Sequence, residues 1–204
     1  MPLQYLPSCL LFLAPVTSSP LIPRLTRKLL FSLGIWKPLA DRNNFTKTLR
    51  EFLKRHRENN IRLGLLNTRS AVNKAALLHD SINDNNLDIL ALTETWISSD
   101  LPNCIKLDVA PPGFSVQHYH RPNRRGGGLS IIYISFFKSV LLDLGPFSEF
   151  ESLSLKLTNF NSSFIISVLY RPPGPINQIF LDQLSFLVDS LLSSTLPFFS
   201  CWRL

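Results

Sequence analysis

Apolar residues in this chain come in short blocks separated by polar and turn-forming residues. The runs at 61–66, 87–93, 114–120, 129–135, 139–144, 151–157 and 163–170 each have the length of a strand. Two other stretches carry a helical period instead. Ser70 is placed to cap a helix in which Ala71, Ala75, Leu78 and Ile82 share one face, with a turn at Asn83 to Asn86 returning to the second strand. A longer helix, from about Ile176 to Leu192, lines up Ile176, Phe180, Leu184, Leu187 and Leu191. A loop is expected around Leu101-Pro102, and a last strand starts at Leu196-Pro197-Phe198-Phe199. Helices at both ends of a run of strands fit a mixed α/β layered sheet.

Upstream the pattern fades. Residues 1–40 are rich in Pro, Leu and Ser without a sustained period, and read as a poorly ordered leader. Residues 41–60 predict a basic amphipathic helix. Asp41 is its cap, and Phe45, Leu49, Phe52, Leu53 and His56 form one stripe, with Arg50, Lys54 and Arg55 among the cations around it. Such a helix contacts nucleic acid or presents a solvated face, and the second reading is the commoner one. The expected division is therefore 1–40, 41–60 and a domain over 61–204.

Charge sharpens that division. Residues 1–62 hold 11 Lys/Arg against 3 Asp/Glu, and the rest of the chain holds 10 against 11. The net +7 thus belongs to the leader, and the body is near neutral. Cys9, Cys104 and Cys201 lie far apart without zinc or disulfide spacing, which fits reduced thiols in an intracellular protein, with the nucleus as one destination. No segment has the roughly 18 apolar residues of a membrane span, and the run at Leu10–Val16 lacks a signal peptide's basic start.

Candidate chemistry sits where the strands end. Asn67-Thr68-Arg69-Ser70 follows the first strand, Thr93-Glu94-Thr95-Trp96 the second, and Tyr170-Arg171-Pro172-Pro173 the last long one. Polar groups at the carboxyl ends of buried strands are where α/β sheets build sites. An amide, a carboxylate and a phenol gathered there suit a hard cation and a phosphate. Taken alone, Glu94 reads as a strand-end cap; beside the other two islands it reads as a metal ligand. Asn67 is either an Asx turn or the group that holds Glu94 or a metal-bound water. Tyr170 is a hydrogen-bond donor or an aromatic packed on Pro172 and Pro173. Arg69 and Arg171 have the geometry to contact phosphates, as would Arg124 and Arg125, although Arg124–Gly128 is more simply a hairpin turn. None of the four histidines is assigned a role.

The order of these islands, with Arg124-Arg125-Gly126-Gly127-Gly128 between the second and third, resembles the endonuclease/exonuclease/phosphatase superfamily. Within it, the wording is closest to the endonuclease domain of non-LTR (LINE-type) retrotransposons, over about residues 61–199. The resemblance implies the N-terminal part of a four-layered α/β sandwich, most of one sheet and little of the other. It also implies Mg²⁺, with Mn²⁺ as substitute, held by Glu94 and Asn67, and Tyr170 against the scissile phosphate of DNA. The family pattern continues into Gly-Asp-Phe-Asn and a later Ser-Asp-His element. Ser200-Cys201-Trp202-Arg203-Leu204 stands at the first of these. The expectation is a truncated, catalytically silent domain with an apolar sheet face open to aggregation. The alternatives are a phosphatase of the same superfamily and a non-catalytic fragment that binds nucleic acid through the basic leader.

Overall fold

The computed structural model describes residues 61–121, 126–160 and 162–203. The leader, the helix expected at 41–60 with Arg50, Lys54 and Arg55, and the pair Arg124 and Arg125 lie outside those residues.

Among the described residues, eight strands and three helices follow one another as β1 (Leu63–Asn67), α1 (Ala75–Asp84), β2 (Ile89–Thr93), α2 (Asn103–Asp108), β3 (Phe114–Tyr119), β4 (Leu129–Ile134), β5 (Lys138–Leu142), β6 (Glu151–Thr158), β7 (Ser163–Tyr170), α3 (Gln178–Ser193) and β8 (Phe198–Arg203). They form two mixed four-stranded sheets, ordered β1-β2-β4-β3 and β5-β6-β7-β8. β1 runs parallel to β2 and β7 parallel to β8; the other pairs are antiparallel. The even split corrects the expectation of most of one sheet and little of the other. After β4 the chain turns at Ser135–Phe137, where Phe137 packs edge-on against Phe164 of β7 with ring centroids 5.5 Å apart, and β5 starts the second sheet.

Side-chain alternation assigns the faces. Leu90, Leu92 and Ile132 pack with Leu78 and Ile82 of α1. Ile165 and Leu169 pack with Phe180, Leu187 and Leu191 of α3. The opposite faces of β2 and β4 meet β6 and β7. Each layer is closed by the next, giving helix, sheet, sheet, helix. β2 and β4 are buried at every residue, which explains their unbroken apolar runs. The sheet faces expected to lie open are instead turned on each other. Among the described residues, no helix is long and apolar enough to cross a membrane.

Two helix starts differ from expectation. Ser70 does not cap α1: it has φ +81°, and the helix begins after Lys74. Residues 68–71 continue the pairing of the parallel strands, with Thr68 N, Ser70 N and Ala71 N donating to Thr93 O, Glu94 O and Thr95 O at 2.8–3.0 Å. Ala71 is still buried in the expected cluster. In α3 the cap is Asn177, whose Oδ1 accepts from Phe180 N at 2.8 Å, leaving Ile176 outside the helix and exposed.

Candidate active site

Parallel pairing brings Asn67 beside Thr93 at the ends of β1 and β2, one residue before Glu94. The backbone bonds beyond the strands tie the two exits together. Thr68 adds to them, its hydroxyl lying 3.1 Å from both Thr93 O and Glu94 O. Lys74 Nζ donates to Thr68 O and Arg69 O at 2.6 and 3.1 Å, fixing the far side of the loop. With φ +53°, Glu94 is in the left-handed region, a conformation that costs a non-glycine residue and persists only where the surroundings enforce it.

Facing it from the second sheet is Tyr170, the last residue of β7. Tyr170 Oη donates to Glu94 Oε1 at 2.7 Å, and Asn67 Nδ2 donates to the same oxygen at 3.0 Å. Both donors converge on one oxygen, and Oε2 receives neither of them. Asn67 Oδ1 accepts from Arg69 N at 3.2 Å, the Asx turn and the grip on Glu94 being made by one side chain. Burial, then the hydrogen bond to Glu94, push the Tyr170 phenol up to about 12, so it is a donor near neutrality.

A second carboxylate lies close by, one that the sequence reading placed only in a strand. Glu151 opens β6 directly across from Tyr170. Its Oε2 accepts from Gly128 N at 2.7 Å and its Oε1 is ion-paired with Arg121 Nε at 3.1 Å. Burial is the largest influence on Glu151 and raises its pKa; Glu94 raises it further, against the pull of the Gly128 amide and Arg121. The alternation Glu151, Leu153, Leu155, Leu157 was the available signal, since it sets this carboxylate on the buried face of its strand.

Gly128 and Gly127 in turn hold the Glu94 loop. Thr95 N donates to Gly128 O at 3.1 Å and Trp96 N to Gly127 O at 2.9 Å. Gly126, Gly127 and Gly128 all have positive φ, and a Cβ at Gly127 would collide with Glu151 and Arg121. This turn joins the antiparallel pair β3 and β4.

The remaining candidates are placed differently. Arg69 is exposed, with φ +43°. Arg171 is buried: its guanidinium donates to Gly174 O at 2.9 Å and to Pro175 O, and lies 4.6 Å from the centroid of the Phe180 ring. It ties the Arg-Pro-Pro loop to α3 rather than offering a fork to phosphate. Among the described residues, no group of three His, Cys, Asp or Glu is arranged to hold a metal.

Comparison with solved structures gives the same arrangement of layers. The endonuclease domain of TRAS1, a telomere-specific non-LTR retrotransposon, superposes with a TM-score of 0.50 at 11% identity, covering 69% of this chain and 58% of that one. This chain has the endonuclease/exonuclease/phosphatase fold. D. rerio TDP2 complexed with a single-stranded DNA product aligns with a TM-score of 0.49 at 10% identity, over 70% of this chain and 58% of that one. An endonuclease/exonuclease/phosphatase family protein from Bacteroides thetaiotaomicron gives 0.47 at 11%, over 70% and 62%. The chain thus spans about three fifths of the length of these structures. No protein-family model matches the sequence, and no curated protein matches it either.

Proposed function

We propose that this chain is a divalent-metal module for phosphodiester chemistry on DNA, of the retrotransposon endonuclease type. The observation that carries the reading is the convergence of Asn67 and Tyr170 on a single oxygen of Glu94. Two neutral donors on Oε1 orient the carboxylate without neutralising it. The other oxygen suits Mg²⁺ or Mn²⁺, which bind through one or two carboxylates and a substrate phosphate. A metal held there supplies Lewis-acid charge to a phosphate oxygen.

The protein's own part is positioning. Asn67 fixes the rotamer of Glu94, and Tyr170, protonated near neutrality, has a hydrogen to share with a phosphate oxygen once substrate displaces it from Glu94. Proton transfer is less well provided for. Among the described histidines, His118 engages Ser130 Oγ and Lys106 O through its two ring nitrogens, while His79 and His120 each engage one backbone carbonyl, of Asp108 and Ile97. We therefore expect metal binding with hydrolysis close to background, because catalytic groups act as a unit.

Nicking of supercoiled plasmid with Mg²⁺, alongside Mn²⁺ titration calorimetry, tests this in the wild-type chain and Glu94→Ala. The expected outcome is Mn²⁺ binding that the substitution weakens at least tenfold, with little nicking in either protein. Nicking lost in Glu94→Ala would overturn the expectation of near-silence and strengthen the site assignment. Equal Mn²⁺ binding by both proteins would remove Glu94 from the metal site.

A further inference from the structure

Two residues beyond Glu94 stands Trp96, and nothing in the core asks for it. The residue is 50% exposed, and it belongs to neither the cluster beneath α1 nor the one beneath α3. Its backbone has φ +55°, a region bulky L-residues rarely enter. Glu94, at +53°, is the other left-handed residue of this loop, and fully buried Thr95 sits between them.

The conformation is enforced from below. Trp96 N is held by Gly127 O and Thr95 N by Gly128 O, and the Gly128 amide is itself held by the buried carboxylate of Glu151. The indole edge runs along Gly126, where an added Cβ would lie 3.6 Å from Trp96 Nε1. One edge of the ring thus lies on the side of Gly126 where any larger residue would reach it, while half of the residue stays open to solvent. Backbone strain maintained by a buried carboxylate and a glycine turn, beside the proposed metal ligand, points to display rather than packing. An exposed aromatic beside a carboxylate that would hold a metal against a phosphate has the form of a stacking platform for a nucleobase.

We propose that Trp96 stacks on an unpaired base next to the phosphate addressed by Glu94. This rests on the metal–phosphodiester reading above and narrows its DNA substrate to one with an unstacked base beside the reacting phosphate. The contact is tolerant of base identity, because every base offers a π-face.

The test compares fluorescence-anisotropy affinities for a short single-stranded oligonucleotide and for an abasic phosphodiester of the same length, with Ca²⁺ present. The proteins are wild type, Trp96→Ala, Trp96→Phe and Glu94→Gln, with Mn²⁺ binding measured on the same preparations. Wild type should favour the base-bearing strand by roughly tenfold, about the contribution of one base on one aromatic ring. Trp96→Ala should abolish that ratio by weakening only the base-bearing strand, and Trp96→Phe should keep most of it. A ratio near one in wild type, or an undiminished ratio in Trp96→Ala, overturns the proposal. Mn²⁺ binding that depends on Glu94 but comes with no base preference sinks the stacking and leaves the metal site standing. Absence of Glu94-dependent metal binding sinks the metal reading, and the ratio then decides the stacking by itself.

Discussion

Glu94 and Glu151 are carboxylates at facing ends of the two sheets, close enough for the charge of Glu94 to raise the pKa of Glu151, yet they are held in opposite ways. Glu94 takes two neutral side-chain donors on one oxygen. Glu151 is buried and has both oxygens engaged, one by a backbone amide and one by a guanidinium. A carboxylate with both oxygens already engaged inside the protein has little left for a cation. One whose donors share a single oxygen keeps the other unengaged by them. The same functional group thus serves as a brace on one sheet and, in the proposed reading, as a metal ligand on the other.

The strongest way to break this contrast is to remove the space the brace needs. Gly127→Ala places a methyl group into Glu151 and Arg121 at φ +71°. We expect a loss of roughly 2–4 kcal/mol from left-handed strain and overpacking together, read by urea denaturation. An unchanged midpoint would mean that the turn is not fixed by Glu151.

Glu151→Ala is milder. It leaves the buried Gly128 amide without its acceptor, at a cost of about 1–3 kcal/mol. Glu151→Gln separates charge from shape through pH. Because the folded-state pKa of Glu151 is raised, the folded protein holds this proton more tightly than the unfolded chain does. Stability from this group is present below the ordinary carboxylate range and is lost as pH climbs through the raised value. Wild type should show that decline in its unfolding midpoint, and Glu151→Gln should flatten it. An identical slope in the two proteins would locate the titration elsewhere.

Much of the scaffold was legible because the buried strands are long, apolar and cleanly ended. The run 163–170 coincides with β7, and the others fall within two residues of observed strands. Periodicity, however, gives the face of a strand and not the sheet it joins, and so the even division between sheets was missed. α2 was missed because none of its residues is buried and there is no apolar stripe to read. The start of α1 moved because residues 68–71 pair with 93–95 instead of coiling, a long-range preference that overrides a local cap signal. At the site, strand ends brought Asn67, Glu94 and Tyr170 together because each closes its strand. Arg171 stands at such an end too, but Gly174 and Pro175 fold back to take its donors. Glu151 escaped notice because a carboxylate opening a strand looks solvent-directed until the register places it opposite Tyr170.

Tyr170 offers the finest measurement of the contrast, since its phenol responds to both carboxylates. Burial raises it most, then the hydrogen bond and charge of Glu94, then the charge of Glu151. Ultraviolet titration, taken as the difference between wild type and Tyr170→Phe, should show a phenol ionising near 12 rather than 10. Glu94→Gln should bring it down while burial keeps it above 10; Glu151→Gln should move it less. The sign for stability follows. A phenol raised in the fold stabilises below pH 10, and that contribution is lost as pH rises from 10 through about 12, a loss that Tyr170→Phe should not suffer. Equal responses to Glu94→Gln and Glu151→Gln would mean that Tyr170 feels only the summed charge of the cleft. A larger response to Glu94→Gln would show that the direct hydrogen bond distinguishes the two carboxylates, and with it that Tyr170 is coupled to Glu94 by contact and not by field alone.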